Sequence, residues 1–144
     1  MSVPTISRVS TQGSYLTYEQ VRDVIREACP GSEYRGKKVL LIVPDATRTC
    51  PLGILFKGIF GQIGAGAAAF DVMIALGTHQ PMSEEAICHR LEISVEERRA
   101  KYGAVQLFNH EWNNPSALRY MGTISAGEIK NLSGACLRST SPST

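Results

Sequence analysis

The sequence contains no Cys-x-x-Cys pair, no long uninterrupted apolar run and no surplus of one charge. Its four cysteines are widely spaced, and the start Met-Ser-Val-Pro-Thr lacks the basic and then apolar order of a signal peptide. These absences predict a cytoplasmic protein with free thiols. The net charge of +2 comes from acidic and basic residues mixed along the chain, which argues against binding to nucleic acid or to a membrane surface.

The sequence also lacks a candidate membrane-spanning helix. Its most apolar stretch, from Leu52 to Leu76, is interrupted by Lys57, Gln62, Asp71 and several glycines. A helix crosses a bilayer only with roughly 20 consecutive apolar residues, so we expect a soluble protein. A length of 144 residues, with 43% hydrophobic and 19% charged residues, is typical of one globular domain.

Short branched apolar runs alternate with helical patterns along the chain. Capping boxes begin at Thr17 and Ser94, where a hydroxyl residue stands three positions before Gln or Glu. The pattern predicts strands at 38–43, 70–76 and 104–108, helices at 18–29, at 52–66, from Glu84 and after Ser94, and a further candidate strand at 118–124. We therefore expect an α/β fold of three layers, with a mostly parallel sheet flanked by helices, as in a Rossmann-like half-domain.

The end of the sequence differs from the rest. From Leu132 to Thr144 it is rich in Ser and Thr, lacks Val and Ile, and shows no period. Such a composition buries too little apolar surface to fold stably. We expect one domain over residues 1–130 and an irregular or disordered tail over residues 131–144.

Two polar segments, Pro44–Arg48 and Gly77–Met82, directly follow the first two predicted strands. The carboxyl ends of parallel strands share one edge of a sheet, which is where open α/β folds bind ligands. That edge would hold the carboxylate of Asp45, the guanidinium of Arg48 and the imidazole of His79. Simpler explanations remain open, because Asp is common in turns, Thr caps helices and loop histidines are often structural. Arg48 favours a binding site, since its planar group suits two-point contact with carboxylate or phosphate.

Other motifs carry less weight. The residues around His110 do not form the His-Glu-x-x-His zinc signature, so we assign no metal ligand and leave the role of His110 open. The glycine-rich segment 61–66 precedes a strand and lacks a Lys-Ser/Thr pair, which excludes a phosphate-binding loop. We assign no nucleophilic role to Cys50 or Cys88.

Together the motifs resemble those of a known family. The matching residues are Asp45-x-Thr47-Arg48, the run Gly77-Thr78-His79-Gln80-Pro81-Met82-Ser83-Glu84-Glu85, the pair Asn109-His110 and the pair Gly122-Thr123. In this order and spacing they resemble the N-terminal domain of the nickel-dependent lactate racemases, from about Lys38 to Gly127.

The resemblance implies a 2-hydroxy acid racemase. Such enzymes move a hydride from the α-carbon of lactate or a similar acid to a nickel-pincer nucleotide, the nickel complex of pyridinium-3,5-bisthiocarboxylic acid mononucleotide. By resemblance, His79 is one of two catalytic histidines that exchange the hydroxyl proton. The residues that would bind substrate or cofactor are Asp45, Thr47, Arg48, Gly77 and Thr78. Within this set, Arg48 would hold the substrate carboxylate or the cofactor phosphate, and Thr47 would donate its hydroxyl or amide to the same anion.

The sequence also departs from the family. The second catalytic histidine, the cofactor-tethering lysine and the nickel-binding histidine are not found after Gly127, and Lys130 lacks the glycine-rich context of the tether. Thr49 and Gln80 replace a common proline and a common arginine. We therefore expect a truncated domain that is inactive alone and does not retain the cofactor. The alternatives are a non-catalytic module that binds a small carboxylate or a nucleotide, and an interaction domain that pairs through an exposed sheet edge.

Overall fold

The computed structural model describes residues 5–133. Within this range, nine elements form in chain order, together with one short 3-10 turn at Gly64–Gly66. They are α1 (Tyr18–Ala28), α2 (Gly31–Tyr34), β1 (Lys38–Pro44), α3 (Leu52–Ile63), β2 (Ala69–Ala75), α4 (Glu84–Arg90), α5 (Val95–Ala100), β3 (Leu107–Asn109) and α6 (Ala126–Ser133). The sheet and the helices up to Asn113 belong to one compact unit, and the segment from Asn114 belongs to a second.

The sheet has three parallel strands in the order β1-β2-β3. Val43 lies beside Ile74, and Ile74 lies beside Asn109, so the carboxyl ends of all three strands meet at one edge. Helix α3 connects β1 to β2, while α4 and α5 connect β2 to β3. The parallel sheet flanked by helices confirms the predicted α/β fold.

Local signals in the sequence determine where the helices begin. Thr17 accepts a hydrogen bond from the backbone of Gln20, and Ser94 accepts one from the backbone of Glu97, with the reciprocal bonds present in both capping boxes. The Ser83 hydroxyl caps α4 in the same way, without the reciprocal bond. Each cap satisfies amide groups that a helix leaves unpaired in its first turn. The predicted helix starts are therefore confirmed.

The packed core lies on one face of the sheet. Val43, Val72 and Ile74 point to this face and are buried, and Phe56 of α3 packs there with 0% exposure. On the opposite face, Ile42 is 63% exposed, and Leu40 and Phe108 are also exposed. Within the described residues, this opposite face is thus the more exposed of the two faces of the sheet.

The predicted strand at 118–124 does not form, and this prediction is wrong. Gly122 has a φ of +142°, which breaks the run of extended backbone, and Tyr120 and Met121 are exposed. Helix α6 follows instead, capped by Ser125 and Glu128, which exchange hydrogen bonds. It extends to Ser133, so the first three residues of the predicted tail are helical, and residues 134–144 lie outside the described part.

None of the helices in the described part of the chain is long and apolar enough to cross a membrane. Cys29, Cys50 and Cys88 are free thiols. Burial raises the pKa of the Cys88 thiol, which makes this cysteine less reactive.

Candidate active site

A cleft of about 470 Å³ opens where β1 and β2 end. Its lining combines the last residues of both strands with the polar segments that follow them. The structure brings all six predicted site residues to this cleft: Asp45, Thr47, Arg48, Gly77, Thr78 and His79. His110 is not among the lining residues, and its backbone N–H donates to the Ile74 carbonyl at the end of β2.

Asp45 is the centre of the polar contacts in the cleft. Asp45 is buried, with 6% of its surface exposed, and both of its carboxylate oxygens accept hydrogen bonds. Oδ1 accepts the Thr47 amide at 3.1 Å and the Thr47 hydroxyl at 2.6 Å, while Oδ2 lies 2.5 Å from Nδ1 of His79. The hydrogen bond from the Thr47 hydroxyl, followed by that from His79, lowers the pKa of Asp45 to about 2. Asp45 is therefore ionised at neutral pH.

Thr47 forms its hydrogen bonds within the cleft to Asp45. Both of its hydrogen-bond donors, the amide and the hydroxyl, point to Asp45. Oδ1 of Asp45 thus forms the hydrogen bonds of a turn, as Asp often does after a strand. Oδ2 contacts His79 instead. In this arrangement the hydrogen bonds of Thr47 stabilise the ionised carboxylate of Asp45.

The imidazole of His79 is oriented by Asp45. An ionised carboxylate can only accept hydrogen bonds, so Nδ1 carries the hydrogen in the neutral ring. Nε2 is then left with a free lone pair, and the His79 side chain, 56% exposed, lines the cleft. A histidine held in one tautomer by a carboxylate can act as a general acid or base through its other nitrogen.

Arg48 provides the positive charge of the cleft. Its side chain is exposed, and within residues 5–133 no hydrogen bond or ion pair occupies the guanidinium. Arg48 and His79 line the same cleft, as the sequence led us to expect. The guanidinium is thus available for two-point contact with a carboxylate or phosphate group.

The segment that carries His79 is fixed by a turn and by two side chains. The His79 amide donates to the Leu76 carbonyl at 3.0 Å, and the Trp112 indole donates to the His79 carbonyl at 3.3 Å. The Asn109 amide group forms two bonds with the Met82 backbone, at 2.9 and 2.8 Å. We did not predict Asn109 as a site residue, although the Asn109-His110 pair and the end of β3 were both visible in the sequence.

Gly77 adopts a φ of +60° in the turn before His79. A Cβ there would meet no atom within 4 Å, so substitution would strain only the backbone. We expect Gly77→Ala to lower the free energy of unfolding by about 1–2 kcal/mol. Gly61 provides the matched control, because it lies in α3 with equally open space around it. Gly61→Ala should instead raise the free energy of unfolding by about 0.5–1 kcal/mol. Equal effects of the two changes in urea unfolding would contradict this explanation.

The lowered pKa of Asp45 predicts a pH dependence of stability. The pKa is about 2 in the folded protein against an ordinary value of 3.8, so the ionised carboxylate stabilises the fold fully above about pH 4. This contribution is lost as the pH falls from about 4 to 2. We expect Asp45→Asn to flatten the decline of unfolding free energy over that range, measured by urea unfolding. Glu33→Gln, which changes an exposed carboxylate, should leave the decline unchanged; an unaltered decline in Asp45→Asn would contradict the assignment.

Within residues 5–133, no group of three or more His, Cys, Asp and Glu side chains could hold a metal ion. The donor set of the cleft consists of one carboxylate and one imidazole, and these bind each other. Within the described residues, the cleft thus offers no set of three side-chain ligands for a bare metal ion. The glycine-rich segment 61–66 forms the end of α3 and a 3-10 turn, in agreement with our rejection of a phosphate-binding loop.

The chain is similar to one protein family and to a protein of known structure. The family model of the lactate racemase N-terminal domain matches residues 19–135. A protein from Thermotoga maritima with a solved crystal structure is similar, with a TM-score of 0.69 and 30% sequence identity. The match covers 88% of this chain and 29% of the Thermotoga maritima protein, so this chain spans less than a third of that protein. No curated protein matches the sequence.

Proposed function

Because the chain belongs to the lactate racemase N-terminal domain family, we propose that it forms the N-terminal part of a racemase-type site for 2-hydroxy acids such as lactate. The observation that supports this proposal best is the pair of Asp45 and His79, joined at 2.5 Å in the cleft that Arg48 also lines. A 2-hydroxy acid presents a carboxylate and a neighbouring hydroxyl group. The cleft offers a cation for the first and an oriented imidazole for the second.

His79 would move the hydroxyl proton of the substrate. When a hydride leaves the α-carbon, the hydroxyl group becomes a carbonyl, and its proton must be removed. Nε2 of His79 accepts this proton and gives it back when the hydride returns, a step worth roughly 100- to 10,000-fold in rate. The Asp45 carboxylate, ionised at neutral pH, stabilises the imidazolium formed in between.

Arg48 would bind the substrate carboxylate. Its exposed guanidinium can form two parallel hydrogen bonds with the two carboxylate oxygens, which fixes the orientation of the acid. Gly77 and Thr78 line the same cleft and would border the bound acid. In complete family members the nickel-pincer nucleotide supplies the hydride chemistry. The roles proposed for this chain's own residues are limited to carboxylate binding and proton movement.

This limitation predicts that the chain alone does not racemise lactate. The test supplies the purified chain with the nickel-pincer nucleotide and follows the optical rotation of L-lactate. We expect no sustained change in rotation. Racemisation that persists over many turnovers and disappears in His79→Ala would overturn the proposed inactivity.

Calorimetric titration with lactate separates the proposal from a non-catalytic carboxylate-binding module. The unoccupied guanidinium of Arg48 is compatible with both. A racemase-type site contacts the hydroxyl group as well as the carboxylate, so its affinity should depend on Arg48 and on His79. A simple carboxylate module would lose affinity in Arg48→Gln and keep it in His79→Gln. Equal affinity in both variants and in the unchanged chain would contradict the proposed function.

A further inference from the structure

Arg90, near the end of α4, reaches back to the segment that follows β1. Its Nε donates to the Pro44 carbonyl at 3.3 Å, and its Nη2 donates to the Arg48 carbonyl at 2.8 Å. These two carbonyls stand at either end of the segment 45–47, which contains Asp45 and Thr47. Within the described residues, no carboxylate forms an ion pair with Arg90. The partly buried guanidinium of Arg90 thus binds the carbonyl oxygens of Pro44 and Arg48 rather than a carboxylate.

The position of this segment controls the geometry of the site. Asp45 accepts two hydrogen bonds from Thr47 and one from His79, at distances of 2.6 to 3.1 Å and 2.5 Å respectively. Hydrogen bonds weaken steeply when their angle or length departs from the optimum. A small shift of the backbone between Pro44 and Arg48 would therefore separate the carboxylate from Nδ1 of His79.

Arg90 also connects the two segments that form the site. Helix α4 follows directly on the segment that carries His79, and that segment is fixed to the end of β3 by the Asn109 amide group. The fork of the guanidinium then ties the segment that carries Asp45 to the same helix. The two partners of the Asp45–His79 pair are held to a common support.

We propose that Arg90 is a positioning residue that keeps the Asp45 carboxylate against Nδ1 of His79. It does so through the backbone, by fixing the carbonyls on both sides of Asp45. The consequence for proton movement rests on the proposed function, whereas the effect on the geometry of the pair does not. The planar, two-pronged shape of the guanidinium is the property required, because an ammonium group has no comparable fork.

The test observes the hydrogen bond between His79 and Asp45 by proton NMR at neutral pH. A short Nδ1–H···carboxylate bond should give a downfield imidazole resonance, recorded at low temperature to slow exchange with water, and His79→Gln identifies this resonance among the three histidines. We expect the resonance to be lost in Arg90→Gln. We also expect loss or strong broadening in Arg90→Lys, which keeps the charge without the fork and perturbs the fold least.

Arg98→Gln provides the matched control. Arg98 is also a partly buried arginine that donates to a backbone carbonyl, that of Tyr102, and it pairs with Glu84 at 3.0 Å. Its removal should lower stability and leave the His79 resonance in place. A resonance that persists unchanged in Arg90→Lys, or that disappears equally in Arg98→Gln, would overturn the proposal.

This outcome is independent of substrate binding. If lactate fails to bind while the resonance still depends on Arg90, the proposed function fails and the positioning role stands. If lactate binds as proposed and the resonance survives in both Arg90 variants, the positioning role fails alone.

Discussion

Replacing Phe56 with alanine is expected to lower the free energy of unfolding by about 3–5 kcal/mol. Phe56 of α3 is fully buried. The centroid of its ring lies 5.0 Å from the ring centroid of Tyr102, 6.2 Å from that of Phe60 and 6.5 Å from that of Phe70. Truncation removes the apolar surface of a whole ring and leaves a cavity that these rigid neighbours can fill only in part. Typical domains are stable by about 5–15 kcal/mol, so one change would remove a large share of the total.

Urea unfolding monitored by circular dichroism measures this loss. Phe108→Ala is the matched control, because Phe108 lies on the opposite face of the sheet and is 43% exposed. Its removal should cost about 1 kcal/mol or less, since much of its ring is already in contact with water. A similar loss for both variants would contradict the assignment of the core to one face of the sheet.

Replacing Arg48 with glutamine is expected to weaken lactate binding roughly 10- to 150-fold. Hydrogen bonds to charged groups contribute about 1.5–3 kcal/mol, and about 1.4 kcal/mol corresponds to a tenfold change in affinity. The Arg48 guanidinium is exposed and has no competing partner within residues 5–133, so its full hydrogen-bonding capacity is available to the ligand. Glutamine keeps part of the length and polarity of the side chain and removes the charge and the fork.

Isothermal titration calorimetry at low ionic strength gives the affinities. Arg99→Gln is the control, because Arg99 lies on α5, outside the cleft, and its replacement makes the same change in net charge. Its affinity for lactate should stay within about twofold of the unchanged chain. An Arg48→Gln variant that binds lactate equally well would show that the carboxylate is held elsewhere.

The strands and polar segments that form the cleft could be predicted, because local sequence patterns determine them. Apolar runs at 38–43 and 70–76 correspond to β1 and β2, and the parallel arrangement then brings the residues that follow each strand to one edge. The positions of Asp45, Arg48 and His79 in one cleft follow from this rule alone. The capping boxes at Thr17 and Ser94 were equally local, and so were the helix starts that they determine.

The contacts that fix the geometry of the site could not be predicted, because they join residues far apart in the sequence. Nothing in the pattern around Arg90 indicates that its side chain reaches the carbonyls of Pro44 and Arg48. The sequence also does not reveal that both hydrogen-bond donors of Thr47 contact Asp45. The strand predicted at 118–124 failed because Gly122 adopts a φ of +142°, a backbone angle that the sequence pattern does not reveal.

The central claim is that Asp45 presents His79 to a 2-hydroxy acid with Nε2 free to move a proton. Nitrogen-15 NMR of the imidazole ring during a titration with lactate tests it most directly, because the two ring nitrogens report separately. We predict a hydrogen on Nδ1 before lactate is added, and a change in the Nε2 chemical shift that follows the binding curve and is absent in Arg48→Gln. A hydrogen on Nε2 in the free protein, or an imidazole that does not respond to bound lactate, would contradict the claim.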